Sequence, residues 1–456
     1  MVIVLVLVLL IAVTAAGVFV SVYRAEGLLA FYIAGTSMVL FVVELLRVPW
    51  SPVMTGLIRP LVFIPLVAWW WVGGIRRDEL QLPRHVSFSG VLLLLLFVLW
   101  EAKYAYEGQY MGAEVKYERL KWAYFIQNWG AALILGMMFP LTLKRLQRFL
   151  SAMGALGVIW AVLEEGAFFM GRRSMRGGPE SEMRYTIAAS VGSLGLGIGS
   201  AMGGACLLGW FLLKDRIQHS QKRNIFVGVS LGVIAIAVLL TGSRGPMVSL
   251  FATIVAFLFL LGGRNSMRFG LALAILGVLI YAGYTIIPEE TRYRLFGLLF
   301  GEHGVAERAG FFLSALNILK VAPFLGQTRG ITSLIGMENP HQLFSHMMVE
   351  LGLVGLGVYL FCVIPAVIKW GVAAFRRQRT VWLFAAPLGA WFAFEFVQRN
   401  MAAGQIGSTD FWVIMGILLG HRLVPMGPAD DSYAEQDALA GLGSPGYGQP
   451  APYGTS

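Results

Sequence analysis

The stretch "VIVLVLVLLIAVTAAGVFVSVY", residues 2–23, contains no charged residue and is long enough to cross a lipid bilayer. A second uncharged run, "FVGVSLGVIAIAVLLTG" (226–242), approaches the same length. A bilayer core requires about 20 consecutive apolar residues in a helix, whereas barrel strands alternate polar and apolar residues over about 10 positions. Because these runs are continuous, the sequence predicts an all-α polytopic membrane protein.

The composition of the chain agrees with this fold class. Of its 456 residues, 57% are hydrophobic and 13% are charged, whereas soluble domains are about 45–50% apolar. The formal net charge of +10 would suggest nucleic acid as a partner of a soluble protein. In a membrane protein, cations instead collect in cytoplasmic loops, so we expect no nucleic acid partner. Cys206 and Cys362 both fall in apolar runs and predict neither a disulfide framework nor a metal site.

Hydropathy predicts about 13 transmembrane helices. The predicted spans are 2–23, 28–46, 53–74, 86–100, 123–143, 148–170, 186–213, 224–241, 246–262, 268–287, 345–369, 380–397 and 405–422. Basic segments recur at intervals of two spans: "KRLQR" (144–148), "KDRIQHSQKR" (214–223), "GGRNSMR" (262–268) and "KWGVAAFRRQR" (369–379). The positive-inside rule makes these loops cytoplasmic, so we expect the N-terminus outside, in agreement with Arg24 as the first cation.

The domain organisation is one membrane domain, residues 1–424, followed by a tail. Residues 425–456 are rich in Pro, Gly, Ser and acidic residues, which predicts a disordered cytoplasmic segment. The longest outward connection, residues 288–340, forms a large periplasmic loop in this topology. It contains "ERAGFFLSALNILKVAPFLG" (307–326), which is apolar at helical spacing but too short to span, so we expect a helix along the membrane surface.

The eleventh span begins with a polar sequence, "ENPHQLFSHMMVELG" (338–352). His341 lies at its outer boundary, where an imidazole can titrate near neutral pH and act as a general base. The alternative is an interfacial histidine without a chemical role. His346 and Glu350 are four residues apart on one helical face, so they can pair. Such an intramembrane pair serves either the function or a structural contact between helices.

The turn "TGSRGP" (241–246) joins two apolar runs on the outer side. Gly242 and Gly245 permit a sharp turn and the close approach of a ligand. Arg244 therefore lies where the positive-inside rule disfavours a cation. Its guanidinium is a forked donor suited to phosphate oxygens, although it can also reach lipid headgroups.

Other arginines also fall in outward loops. These are Arg172, Arg173, Arg176, Arg184, Arg308 and Arg329. Together they predict an outward cationic surface suited to an anionic substrate such as a lipid diphosphate. The sequence contains no GxxxxGK[ST] motif, so ATP hydrolysis has no support, and no HExxH motif.

The segment "PHQLFSHMMVELGLVGLGVYL" (340–360) resembles the signature of the bacterial O-antigen ligase/polymerase family. His341, Glu350, Gly352 and Gly355 fall in register with the signature's His, Glu and two Gly. Further stretches resemble other landmarks of that family: "TGSRG" (241–245), "ERAGFFLSALNILKVAPFLGQTRG" (307–330) and "TDFWVIMGILLG" (409–420). The resemblance covers about residues 220–420. The departures from the family pattern are Gln342, Phe344, Ser345 and Thr328.

The resemblance implies a GT-C-like glycosyltransferase in the bacterial inner membrane, with its active site facing the periplasm. Such enzymes take a glycan from undecaprenyl diphosphate and invert the anomeric centre. His341 is then expected to deprotonate or orient the acceptor hydroxyl. The residues expected to bind the diphosphate are Arg244, Arg308, Arg173 and Arg176, and those expected to support the site are Glu350, His346, Gly242 and Gly245. Because arginines can replace a divalent metal at a diphosphate, neither a metal nor a cofactor is expected.

The acceptor decides which reaction follows. The leading prediction is a polymerase that joins lipid-linked repeat units, because the outer loops are not as basic as docking to a phosphorylated lipid A core would favour. The alternative is a ligase that transfers finished glycan to lipid A core. Membrane lipids and a chain-length regulator protein are further candidate partners. An alternative of another class, a polysaccharide or solute transporter, would show paired broken helices in two related halves, and the sequence shows no clear internal repeat.

Overall fold

The computed structural model describes residues 2–35, 62, 65–66, 82–110, 129–169, 193–217, 221–241, 243–261, 277, 281, 285, 302–327, 343–376, 379–401 and 409–423. Within these ranges the chain is mostly helical and contains no β-strand, and an isolated β-bridge joins Arg84 to His421. The prediction of an all-α membrane protein is confirmed.

The first helix, α1 (Val2–Ala30), is interrupted at Arg24, where φ is 59°, and leads into a π-helical turn, Phe31–Gly35. This interruption falls between the first two predicted spans. The other helices of the described ranges are α2 (Phe88–Tyr110), α3 (Gly130–Met138), α4 (Leu143–Phe169), α5 (Ser193–Ile217), α6 (Gln221–Leu240), α7 (Arg244–Leu261), α8 (Glu302–Val321), α9 (Leu343–Arg376), α10 (Arg379–Met401) and α11 (Thr409–Gly420).

Four of the described helices are long and apolar enough to cross a membrane. They are Leu143–Gly166, Gln221–Leu240, Leu343–Phe375 and Val381–Asn400. Shorter apolar helices are Phe88–Trp100, Ile198–Lys214, Gly245–Leu260, Phe312–Val321 and Thr409–Gly420. The total of about 13 spans stays a prediction, since the spans at 53–74 and 268–287 lie almost wholly outside the described residues, as does the tail at 425–456.

The predicted boundary between the fifth and sixth spans is wrong. The segment "KRLQR" (144–148) lies in the first turns of α4 and not in a loop. The chain leaves the preceding helix at Phe139, because the residue before a proline, here Pro140, disfavours helical backbone. Thr142 then caps α4, since its side-chain oxygen accepts a hydrogen bond from the backbone N–H of Arg145 at 3.2 Å.

Several of the other described helices run beyond their predicted ends. Helix α2 continues to Tyr110, so the first part of the predicted loop at 101–122 is helical. Helix α5 reaches Ile217 and α9 reaches Arg376, both through cations that were expected in cytoplasmic loops. Long basic side chains extend toward water from a continuing helix, so charge marks the edge of the apolar layer and not the end of the helix.

The helix expected in the long outward loop is present as α8 (Glu302–Val321), which overlaps the predicted segment 307–326. Its position along a membrane surface stays a prediction. Elsewhere the helices pack closely. A Cβ atom added to Gly157 of α4 would lie 2.5 Å from the Cα atom of Gly203 in α5, so glycine is required for this contact. Helix α10 packs against α7, α9 and α11, and this group of four helices carries the candidate site.

Candidate functional site

Four helix termini meet at one end of the bundle, which we call the polar end. The starts of α7, α9 and α11 lie beside the end of α10. The contacts that join them are Ser249 with Gln398, Phe344 with Phe396, and Asp410 with Arg399. Polar side chains buried at the termini of several helices are typical of sites built inside helical bundles.

A histidine and a carboxylate are paired in the first turns of α9. The Nε2 atom of His346 lies 2.8 Å from Oε1 of Glu350, and the two residues are 5% and 2% exposed. The pairing expected from their spacing is confirmed. The second carboxylate oxygen of Glu350 is buried and has no hydrogen-bond partner among the described residues. A buried polar atom without a partner is costly, and it marks this pair as a place where a further polar group can bind.

The connection between α6 and α7 is the tight turn that the sequence predicts. The backbone N–H of Ser243 donates to the side-chain oxygen of Thr241 at 3.1 Å, and α7 begins one residue later at Arg244. One turn into α7, the Ser249 hydroxyl donates to the carbonyl of Gly245 at 2.8 Å. The same hydroxyl oxygen lies 3.0 Å from the side-chain oxygen of Gln398 in α10. The start of α7 is therefore fixed against the end of α10.

A buried charge cluster joins α10 to α11. The Arg399 guanidinium donates a short hydrogen bond to Asp410, and its Nε atom lies 3.4 Å from a carboxylate oxygen of Glu395. The indole N–H of Trp391 donates to the other oxygen of Glu395 at 3.3 Å. Glu395, Arg399 and Asp410 are 0%, 5% and 7% exposed. One cation between two carboxylates offers little positive charge to an anionic ligand, so Arg399 is suited to holding the two helices together.

Two glycines connect α8 to α9. Gly326, in the turn after α8, and Gly352, within α9, both have left-handed backbone, with φ of 64° and 63°. A Cβ atom on Gly352 would lie 2.4 Å from the Phe324 carbonyl oxygen and 2.6 Å from the Gly326 nitrogen. Both positions therefore require glycine for conformation and for space. Gly352 is one of the signature glycines, so its place in the signature has a structural cause.

The opposite end of the same helices, which we call the basic end, carries cations. Burial of His85, together with the nearby charges of Arg422 and Lys369, lowers the pKa of its imidazole. Arg145, at the start of α4, lies 3.7 Å from the carboxylate of Glu26. The side of the membrane on which each end lies stays a prediction.

The structure brings together part of the predicted site. His346, Glu350 and Gly245 all lie at the polar end, on α9 and α7. Arg244 is the first residue of α7 and Arg308 belongs to α8, and the structure describes only the backbone of these two. The other predicted site residues lie outside the described residues: His341, Arg173, Arg176 and Gly242. Their roles stay predictions.

Sequence reasoning missed the charge cluster of Glu395, Arg399 and Asp410. Its signal was present in "FEFVQRN" (394–400), where a carboxylate and a guanidinium one turn apart interrupt an apolar run. Asp410 was hidden because it reaches the cluster from the next helix. Within the ranges that the structure describes, no three His, Cys, Asp or Glu side chains are grouped so that they could hold a metal ion.

Comparison with known families gives a match to part of the chain. Residues 229–360 match the family model described as O-antigen ligase. The matched region extends from within α6 through α7 and α8 to the middle of α9, and it includes Arg244, Arg308, His341 and Glu350. No curated protein sequence matches the chain significantly.

Proposed function

We propose that this member of the O-antigen ligase/polymerase family is an inverting membrane glycosyltransferase that polymerises glycan repeat units carried on undecaprenyl diphosphate. The observation that supports this most directly is the polar end. There, the buried His346–Glu350 pair lies on α9, the helix that follows His341. The start of α7, which carries Arg244, is fixed against α10, which also contacts the start of α9. Imidazole and carboxylate groups can serve as a general base, and guanidinium groups can stabilise charge on a leaving diphosphate.

The reaction we propose needs a base and a diphosphate-binding surface. His341 takes the proton of the acceptor hydroxyl as that oxygen attacks C1 of the donor sugar. The bond from C1 to the diphosphate oxygen breaks with its electron pair, so undecaprenyl diphosphate leaves and the anomeric centre inverts. Arg244 and Arg308, with Arg173 and Arg176, stabilise the charge that develops on the leaving diphosphate. In this proposal the arginines take the place of a divalent metal.

The buried pair supports the base without touching the substrate in this scheme. His341 lies two residues before α9 begins at Leu343, so its position depends on the first turns of that helix. The His346–Glu350 pair fixes those turns from the inside, because an unpaired polar group there would be costly. Gly242 and Gly245 provide the space at the turn through which the diphosphate approaches Arg244.

The proposal also assigns each end of the helix bundle to one side of the membrane. The polar end faces the periplasm and the basic end faces the cytoplasm of a bacterial inner-membrane protein, with about 13 spans in a GT-C-like arrangement. Undecaprenyl diphosphate then presents its glycan at the polar end while its tail stays in the bilayer. The donor already carries a diphosphate leaving group, so no nucleotide is required.

A ligase is the second candidate, and the matched family model, described as O-antigen ligase, is compatible with both reactions. Both reactions use the same donor and differ in the acceptor, which is a second lipid-linked glycan for a polymerase and lipid A core for a ligase. A chain-length regulator protein is a candidate partner of the polymerase only.

The proposal is tested with the full-length protein in proteoliposomes. An undecaprenyl-diphosphate oligosaccharide is supplied alone, or together with lipid A core, and the products are separated by electrophoresis. A polymerase forms a ladder from the donor alone, whereas a ligase forms a product only when core is present. Absence of any transferred glycan in both arms, from protein that remains folded, would refute the proposed glycosyltransferase.

A further inference from the structure

Lys103 makes an unusual set of contacts near the polar end. It belongs to the part of α2 that extends beyond the apolar run, and its ammonium donates hydrogen bonds to three backbone carbonyls. These are the carbonyls of Gly326 at 2.8 Å, of Glu350 at 3.1 Å, and of Leu325 at a shorter distance. A lysine ammonium has three N–H donors, so the three carbonyls match its capacity.

The three carbonyls belong to the joint between α8 and α9. In an unbroken helix the N–H groups of Leu353 and Val354 would donate to the carbonyls of Val349 and Glu350. The break at Gly352 redirects them, because Leu353 donates to Pro323 at 2.9 Å and Val354 donates to Phe324 at 3.2 Å.

This exchange leaves two carbonyls of α9 in need of new donors. The backbone N–H of Gln327 donates to Val349 at 2.6 Å, and Lys103 donates to Glu350. These four backbone groups, the N–H groups of Leu353 and Val354 and the carbonyls of Val349 and Glu350, thereby have new partners. Lys103 is the only side chain among these four donors. It lies far from the joint in the sequence, 222 residues before Leu325 and 247 residues before Glu350.

We propose that Lys103 is a positioning residue for glycosyl transfer, which holds the helix of Arg308 against the helix that follows His341. This inference rests on the proposed function. The ammonium links the turn after α8 to the backbone carbonyl of Glu350, whose side chain pairs with His346 one turn away. Lys103 lies outside the matched family region at 229–360, so it is a residue of the N-terminal half that acts on the matched part.

The chemistry of the contact explains why lysine is required. A compact ammonium directs three donors toward three carbonyls, whereas the planar fork of arginine matches a carboxylate or phosphate. Since it donates to three carbonyls of the joint, Lys103 is suited to fixing the joint. Replacing it with a neutral side chain leaves the Glu350 carbonyl without this donor and weakens the joint between α8 and α9.

The test uses Lys103→Cys in the full-length protein, which can be chemically restored. The two native cysteines, Cys206 and Cys362, are 0% and 1% exposed, so alkylation is directed to the introduced thiol. Treatment with 2-bromoethylamine rebuilds an ammonium at the length of lysine, whereas iodoacetamide gives a neutral side chain of similar size. Lys103→Arg keeps the charge and changes the geometry.

We expect the neutral forms and Lys103→Arg to lose about 100-fold in kcat, the cost of a misplaced catalytic geometry, with an unchanged KM for the lipid-linked donor. The bromoethylamine-treated variant should regain most of the activity. Amide hydrogen exchange at Gln327, Leu353 and Val354 should rise in the neutral forms and fall again on restoration, while exchange in α4 and α5 stays unchanged.

Two results overturn the inference separately from the proposed function. Wild-type turnover by the iodoacetamide-treated variant, beside an active wild type, refutes the positioning role. Unchanged exchange at the joint in that variant refutes the contact itself. A third result refutes the proposed function and leaves the joint as a structural feature. In it, the wild-type protein transfers no glycan, but amide hydrogen exchange at the joint still depends on the ammonium at position 103.

Discussion

Gly326 and Gly352 face each other across the joint between α8 and α9, so closely that a Cβ atom on Gly352 would lie 2.6 Å from the nitrogen of Gly326. Both residues also have left-handed backbone. Helix α8, which carries Arg308, is therefore connected to the helix of Glu350 through a contact that no other residue type can form.

Gly352→Ala should sharply reduce both stability and transfer. The substitution adds backbone strain of about 1–3 kcal/mol to an overlap with the Phe324 carbonyl, which lies 2.4 Å from the added carbon. The matched control is Gly357→Ala in the same helix, because a Cβ atom there meets nothing within 4 Å. Thermal unfolding in detergent and the initial rate of transfer measure the two effects. Equal behaviour of the two variants would contradict the role of the joint.

The charge cluster at the end of α10 gives a second prediction. Arg399→Met leaves Glu395 and Asp410 buried beside each other without their cation, and we expect a loss of about 3–5 kcal/mol in the free energy of unfolding. The triple change Glu395→Leu, Arg399→Met and Asp410→Leu should recover most of that loss, because no charge remains buried.

Chemical unfolding in detergent measures the effect of Arg399→Met. The control is Lys320→Met, since Lys320 is exposed and its ammonium donates a hydrogen bond to the side chain of the nearby Asn317 at 3.2 Å. A wild-type unfolding free energy for Arg399→Met would show that the cluster does not hold α10 and α11 together.

His421, after the end of α11, predicts how stability depends on pH. Burial lowers the pKa of its imidazole to about 4, although carbonyls of Ile417 and Phe139 lie 2.9 and 2.8 Å from the ring nitrogens. The pKa of an unfolded histidine is about 6.5. The pKa of His421 is lower in the folded than in the unfolded protein. Neutral His421 therefore contributes fully to the free energy of unfolding above about pH 6.5, and this contribution is lost as the pH falls to about 4.

The loss corresponds to about 3 kcal/mol over that range. His421→Gln cannot take up the proton, so its unfolding midpoint in detergent should change less between pH 6.5 and pH 4 than that of the wild type. Parallel pH profiles of the two proteins would show that His421 does not stay neutral in the fold.

The sequence was sufficient for the features that depend on local pattern. Continuous apolar runs predicted the helices, the spacing of His346 and Glu350 predicted their pairing, and Gly and Pro residues predicted the turn at 241–246. The predicted end of α3 is wrong because Pro140 and Thr142, and not the cations at 144–148, end one helix and cap the next.

The features that sequence reasoning missed depend on distant residues. Lys103 stood in a segment of mixed charge, and its partners are backbone carbonyls, which have no sequence signature. Asp410 reaches Arg399 from another helix. Neither contact follows from periodicity, because periodicity reports which face of a helix is buried and not what that face meets.

The most direct test of the account compares His341→Ala with His85→Ala in single-turnover transfer from an undecaprenyl-diphosphate oligosaccharide. A general base contributes about 100- to 10,000-fold to the rate. We therefore predict that His341→Ala loses at least about 100-fold while it binds the donor and unfolds like the wild type. His85→Ala, altered at the basic end, should transfer at the wild-type rate. Transfer by His341→Ala at the wild-type rate would contradict the account.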